Sequence, residues 1–282
     1  MESPFELQFG YSRVVGSCKG LLCLSDEYYS ERPPIIIWNP SIRKSVTLPT
    51  APESECPNIS VYGFGAHPTT QKYKVIRLEY DLTFGYGSLY EPPRKVEIYT
   101  QGTRSWRGIS SALPPTHVFV NSMWSQAFLN GVVHWVFESF FEGSLSNWMM
   151  LFDMASESSS EFMLPTTLAK ESLPPVLSSV MLFGESLALF CCGQRYNNCC
   201  CIWVMKEYGV AESWTKLICL NFLGMPCQIF GHRRIGEGLL ASKNSLASYA
   251  PATETLRDTG MRISLRALVY VDSFMETLDL VE

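Results

Sequence analysis

IIIWNPSIRKSVTLP, residues 35–49, reads as a strand closing on a tryptophan, a polar turn, and a second short strand. The same order returns in VEIYTQGTRSWRGI from Val96, MLFDMASESSSEFMLP from Met150, IWVMKEYGVAESWTKL from Ile202 and LASYAPATETLRDTG from Leu246. A further strand precedes each copy: GLLCL, YKVIRLEY, VVHWVF, LALFCC and, more weakly, EGLLAS. Successive copies start 44 to 61 residues apart, near the roughly 40–50 residues of a four-stranded propeller blade. A unit of that size cannot bury both faces of its own sheet, whereas radial stacking covers the faces and leaves only short edges. The repeat therefore predicts one all-β domain, a β-propeller of about five to six blades with little helix.

The strands between these landmarks are of two kinds. KVEIY (95–99) and ISLRALVYV (263–271) alternate strictly and YKVIRLEY (73–80) partly, as half-buried sheet does. GLLCL (20–24), PIIIW (34–38), LALFCC (187–192) and CCCIWVM (199–205) are almost continuously apolar, which suits strands covered on both faces. The one helical patch is TTLAKESL (166–173), cut off by Pro174-Pro175.

Composition excludes several functions. Hydrophobic residues make up 46% of the 282, enough apolar area to offset the entropy of ordering the backbone. The net charge is −5, and no basic stripe tracks a phosphate backbone, so nucleic acid is not an expected partner. No export signal opens the chain, and no apolar run approaches the length of a membrane span. Ten cysteines without an export signal read as free buried thiols in a reducing compartment, cytoplasmic or nuclear.

No catalytic constellation emerges. Cys191, Cys192, Cys199, Cys200 and Cys201 invite a zinc site, but adjacent strand residues face opposite ways and no C-x-x-C knuckle is present, so buried small apolar residues are the expectation. His67, His117, His134 and His232 fall in no ligand or general-base pattern. Gly63-Phe64-Gly65 opens like a dinucleotide fingerprint, but Pro68 stands where the third glycine should begin a helix. Gly16 and Gly20 read as turn glycines, and Ser156 to Glu161 as a solvated hairpin turn. Trp38, Trp106, Trp135, Trp148, Trp203 and Trp214 recur near strand ends, where packing between blades is expected rather than a ligand cage. The reading is of a protein-recognition module, not an enzyme, with no cofactor and no metal.

The ordered series VVGSCKGLLCL (14–24), IIIWNPSIRKSVTLP, VYGFGAHPTTQKYKVIRL (61–78), VEIYTQGTRSWRGI, FLNGVVHWV (128–136), LFDMASESSSEFMLP and ALVYVDSFMETL (267–278) resembles the F-box-associated domain of plant F-box proteins, from Tyr11 to Leu278. That resemblance implies a kelch-like propeller over residues 11–282, acting as the substrate-selecting half of a Skp–cullin–F-box ubiquitin ligase. Some relatives are S-locus F-box proteins. Residues 1–10 are too few to hold the F-box that precedes this series in the family, so a Skp-type adaptor is expected as a partner only if an F-box lies upstream. An F-box-less interaction protein, a truncated product without a ligase role and, more remotely, a propeller-fold enzyme remain as other readings.

The partner itself is expected to be a protein. The connections between the two strands of each repeat, 25–33, 81–94, 138–147 and 193–198, should gather on one face. They carry Tyr28, Tyr29, Phe84, Tyr86, Tyr90, Phe140, Phe141 and Tyr196, and aromatics on loops held by a rigid sheet supply contact area at small entropic cost. Folding of these rings back onto the blade tops is the other reading.

Overall fold

The computed structural model describes residues 13–25, 34–54, 58–81, 83, 92–110, 119–120, 126–141, 144–165, 176–193, 199–221, 227–233, 237–242, 245–250, 253, 255–262 and 277. Among them are five antiparallel sheets, each a four-stranded meander in chain order. Sheet 1 holds β1 (Arg13–Cys18), β2 (Leu21–Ser25), β3 (Ile35–Asn39) and β4 (Lys44–Thr47). Sheet 2 holds β5 (Asn58–Ala66), β6 (Tyr73–Asp81), β7 (Lys95–Thr100) and β8 (Arg107–Gly108). Sheet 3 holds β10 (Ala127–Leu129), β11 (Val132–Phe141), β12 (Ser144–Asp153) and β13 (Ser158–Met163), and β9 (Phe119–Val120) also pairs with β11. Sheet 4 runs β14 (Val176–Phe183), β15 (Ser186–Gly193), β16 (Cys199–Met205) and β17 (Trp214–Asn221). Sheet 5 runs β18 (Cys227–Arg233), β19 (Glu237–Ser242), β20 (Ser245–Ala250) and β21 (Thr255–Arg262). Successive four-stranded meanders are the blades of the β-propeller class, so the repeat was read at its true length. The sequence copies correspond to the third and fourth strands of each sheet with the turn between them, and the strand that precedes each copy is the second. The helical patch at 166–173 and the strand at 263–271 lie outside the described residues.

Two compact units divide the chain: residues 1–162 with 274–282, and residues 163–273. In the first unit, sheet 2 is covered on both sides. The alternate residues Tyr62, Phe64, Tyr73, Val75 and Tyr99 pack with Val15, Leu21, Cys23, Ile35 and Ile37 of sheet 1. Their neighbours Val61, Ile76, Leu78, Tyr80, Val96 and Ile98 pack with Val133, Trp135, Met150 and Phe152 of sheet 3. Period-two alternation thus separates two cores here and does not separate core from water. YKVIRLEY and KVEIY were expected to be half-buried, yet Tyr73 through Tyr80 and Val96 through Tyr99 are all buried. The reason is the charge set of β6 and β7, which is neutralised internally and needs no solvent.

Tight hairpins set the registers. Asn130 (φ 53) and Gly131 (φ 79) join β10 to β11, and both residues take the positive φ that a type I′ turn requires. Within the same unit Thr277 is anchored on the β3–β4 turn: its carbonyl accepts from Asn39 Nδ2 at 3.1 Å and its N–H donates to Ser41 Oγ at 3.2 Å. In the second unit Ala188, Phe190, Ile202, Val204 and Ile218 of sheet 4 pack with Tyr249 of sheet 5.

Candidate functional site

A recognition surface needs a rigid frame, and in the first unit that frame is built where the inner strands β1, β5 and β10 approach one another. Gln126, just before β10, accepts from Phe64 N–H at 2.6 Å through Oε1 and donates to Phe64 carbonyl at 2.6 Å through Nε2. One side-chain amide therefore satisfies both backbone groups on the unpaired edge of β5, as a neighbouring strand would. Close approach makes this possible. A Cβ on Gly16 would fall 2.2 Å from Gln126 Nε2, one on Gly63 2.3 Å from the Trp135 ring, and one on Gly65 2.4 Å from the Phe128 ring. Gly16 was expected in a turn; it lies inside β1 and serves to admit the Gln126 amide. Gly20, with φ 76, is the turn glycine expected. Sequence reasoning missed Gln126, although glycines inside strand patterns are themselves a signal of close approach.

Three of the tryptophans pack between neighbouring sheets of the first unit. Trp106 Nε1 of sheet 2 donates to Pro49 carbonyl after sheet 1 at 2.7 Å, and Trp135 Nε1 of sheet 3 donates to Tyr62 carbonyl of sheet 2 at 3.2 Å. Trp38, Trp203 and Trp214 are buried as well, and Trp148 packs against the sheet 2–sheet 3 core. A ring buried between sheets cannot stack on a ligand.

Two ionic groups tie the frame together. Arg77, 2% exposed, reaches Glu97 Oε2 at 2.7 Å, Glu79 Oε2 at 2.6 Å and Ser60 Oγ at 2.9 Å, while Ser54 Oγ donates to Glu79 Oε1 at 2.9 Å. Lys74 of sheet 2 donates to Met154 carbonyl at 2.7 Å and to Glu157 Oε1 at 2.8 Å in the β12–β13 turn, and Glu157 also holds Arg107. Desolvation by itself would raise the Glu157 carboxyl, but the hydrogen bonds and charges of Lys74 and Arg107 outweigh it and hold the group below its ordinary value. In the same turn Asp153 Oδ1 accepts from Ala155 N–H at 2.7 Å and Ser156 N–H at 2.8 Å. The hairpin turn read for Ser156 to Glu161 is shorter and begins earlier: it spans Met154 to Glu157, and Ser158 to Glu161 belong to β13.

The residues considered for chemistry have structural occupations. His134 is fully buried in β11, its Nδ1 is 3.2 Å from Ala127 carbonyl, and burial pushes its pKa down to about 4. His67 accepts from Thr69 N–H at 3.1 Å and Thr70 N–H at 3.2 Å, closing the β5–β6 turn. Cys191 and Cys201 are buried opposite one another on β15 and β16. Cys201 is disulfide-bonded, which departs from the free thiol expected there, and Cys191, opposite it on β15, is not its partner. Among the described residues no group of three His, Cys, Asp or Glu side chains is placed to hold a metal ion, and no helix is long and apolar enough to cross a membrane.

Of the aromatic positions nominated for partner contact, Tyr28, Tyr29, Phe84, Tyr86, Tyr90 and Tyr196 lie outside the described residues. Phe140 and Phe141 do not sit in a loop. They end β11, opposite Leu145 and Ser144 of β12, so residues 138–147 form the extended end of a hairpin with only 142–143 between the strands. The loop expected at 138–147 is paired strand because the β11–β12 ladder runs on to Phe141 and Ser144. All these connections join a second to a third strand, and therefore leave each sheet at the same end of its meander.

A family profile described as "F-box associated beta propeller domain" matches residues 2–237. Among curated proteins of Arabidopsis thaliana, an F-box protein is 31% identical over 236 residues, covering 75% of this chain and 52% of that protein. An F-box/kelch-repeat protein is 27% identical over 214 residues, covering 74% and 52%. The chain spans about half the length of the curated relatives it matches. The profile match ends at the first residue of β19, although β19 pairs onward with β20 and β20 with β21 to complete a fifth sheet. Among solved structures, the GH32 β-fructofuranosidase of Bombyx mori aligns at a TM-score of 0.50 and 10% identity over 89% of this chain and 62% of that one. At that identity the likeness is one of fold.

Proposed function

The chain belongs to the F-box-associated β-propeller family, and from that premise we propose that it selects protein substrates for a Skp–cullin–F-box ubiquitin ligase. The observation that carries this reading is the family match over residues 2–237 together with the F-box proteins among the relatives. The frame agrees in kind: buried tryptophans, an internally neutralised charge set and the Gln126 clamp hold the described sheets of the first unit rigid, which suits a surface that binds. We place the substrate contact on the second-to-third-strand connections, with Tyr86 and Tyr90 as principal aromatics, and the protein in the cytoplasm or nucleus. The domain is proposed to run from residue 11 to 282, since sheet 5 extends beyond the profile match.

The test expresses residues 1–282 alone and behind an F-box in plant cells. The fused form is expected to capture a Skp-type adaptor and to shorten the half-life of a protein that both forms bind, with cullin inhibition restoring it. A bound protein whose half-life is indifferent to the fused F-box would overturn the ligase reading.

A further inference from the structure

At the end of the first unit where hairpins turn, a cavity of about 340 Å³ opens between sheets 1 and 2, lined by Lys19 and Leu21 around the β1–β2 turn, Gln71, Lys72 and Tyr73 around the β5–β6 turn, and Gln101 after β7. We infer that this cavity binds an acidic peptide segment, seating a carboxylate side chain between Lys19 and Lys72. The inference rests on the geometry of this unit and stands apart from the ligase role.

Charge is the first support. The turns at residues 19–20, 40–43, 67–72 and 101–106 contain no Asp or Glu and carry Lys19, Arg43, Lys72 and Arg104, in a chain of net charge −5. Arg43, Lys72 and Arg104 are exposed and Lys19 is half-buried. None of the four belongs to an ion pair among the described residues. The nearby acids are already engaged: Asp153 accepts backbone N–H groups, and Glu157 holds Lys74 and Arg107. Four cations that pair with no acid among the described residues, in a protein of net charge −5, form a patch that attracts carboxylates at long range.

Shape is the second. A volume of about 340 Å³ lies at the lower end of the range for ligand sites, large enough for a side chain and its flanking backbone. The lining mixes apolar and polar groups as such a segment requires: Leu21 and Tyr73 for methylenes, two ammonium groups for the carboxylate, and the Gln101 amide. Gln101 Oε1 is occupied by Tyr73 N–H at 3.3 Å, leaving the amide nitrogen as a donor. Lys19 (φ 51) precedes Gly20 (φ 76) in a tight turn, and Lys72 Nζ lies over the β7–β8 turn, 3.9 Å from the Cβ position of Gly102. A nucleic acid is disfavoured, because a tracked backbone needs about 6–10 phosphate contacts and the whole chain would repel it.

The test measures fluorescence anisotropy of labelled octaglutamate, with octaglutamine and an eight-nucleotide oligothymidine as comparison probes, against the full chain at about 50 mM salt. Octaglutamate is expected to bind and octaglutamine not. The Lys19→Asn/Lys72→Glu variant, in which asparagine keeps the positive φ, is expected to raise Kd at least about tenfold. Reversal of Arg257 and Arg262 to Glu on β21 is expected to change Kd less than about twofold. Lys72→Gln alone, an exposed neutral change, is expected to raise Kd by about threefold or more and serves if the double variant misfolds. Absence of octaglutamate binding, equal loss from both charge changes, or oligothymidine binding as tightly as octaglutamate would each overturn the inference.

Discussion

Replacing Arg77 with methionine tests the internal charge set that holds the centre of sheet 2. The guanidinium is 2% exposed and faces two carboxylates, Glu79 and Glu97, that are 2% and 3% exposed. Removing it leaves Glu79 with only the Ser54 hydroxyl at 2.9 Å and Glu97 with the Lys95 ammonium at 3.4 Å, in a medium that water scarcely reaches. Breaking one buried ion pair costs about 3–5 kcal/mol, and one cation here serves two partners, so the upper part of that range applies. Against a typical domain stability of about 5–15 kcal/mol, the loss is a large fraction. For a domain near this size it corresponds to a fall in Tm of roughly 6–20 °C. The measurement is urea unfolding followed by tryptophan fluorescence, with the m-value monitored for a change in cooperativity. The decisive comparison is the triple variant Arg77→Met/Glu79→Gln/Glu97→Gln. Neutralising the stranded carboxylates is expected to recover at least half of the loss, because the cost lies in unpaired charge and not in lost volume. A single variant that loses less than about 1 kcal/mol would show that water screens the group, as at exposed pairs. A triple variant no better than the single would show that the arginine acted through packing of its methylenes.

Other perturbations follow from the same frame. Gly63→Ala places a methyl 2.3 Å from the Trp135 ring and is expected to cost about 1–3 kcal/mol by overpacking, a figure that thermal unfolding checks directly. Gln126→Leu leaves the Phe64 N–H and carbonyl unsatisfied at a buried edge, with an expected loss of about 2–4 kcal/mol and faster amide exchange at Phe64. His134 has its folded pKa pushed down to about 4 from 6.5, so the unfolded chain binds the proton first. Its contribution is complete above pH 6.5 and is lost as pH falls toward 4, at a limiting slope of about 1.4 kcal/mol per pH unit. Denaturant midpoints at pH 7 and pH 5 should therefore differ, and a His134→Leu variant should flatten that difference; an unchanged difference would place the titration elsewhere. Glu157, also held low by Lys74 and Arg107, adds a separate loss at more acid pH, which Glu157→Gln should remove.

How much of this was legible beforehand depended on whether the signal was local. Strand–turn–strand copies recur because each blade solves the same local problem, so their spacing exposed the propeller and the family series added its identity. Period-two alternation also names a face, but it cannot say what lies beyond that face. At Arg77, Glu79 and Glu97 the polar face looked like a solvent face, since an isolated charge costs too much to bury. What alternation conceals is register: Arg77 stands opposite Glu97 across β6 and β7, and opposite Tyr62 across β5 and β6. Only pairing of separated strands brings the opposite charges together. The same limit hid Gln126, which meets Phe64 across 62 residues.

The basic cavity belongs to this class too. Lys19, Arg43, Lys72 and Arg104 are spread along more than eighty residues, and no short window of the sequence brings the four together. Each, however, falls in a turn joining a first to a second strand or a third to a fourth, and a meander sends both kinds of turn to one end of its sheet. Sorting the charges of sheets 1 and 2 by strand parity instead of by proximity gathers four cations and no acids at that end of these two sheets. A protein with net charge −5 can therefore present a cationic rim, because topology and not composition decides which charges become neighbours.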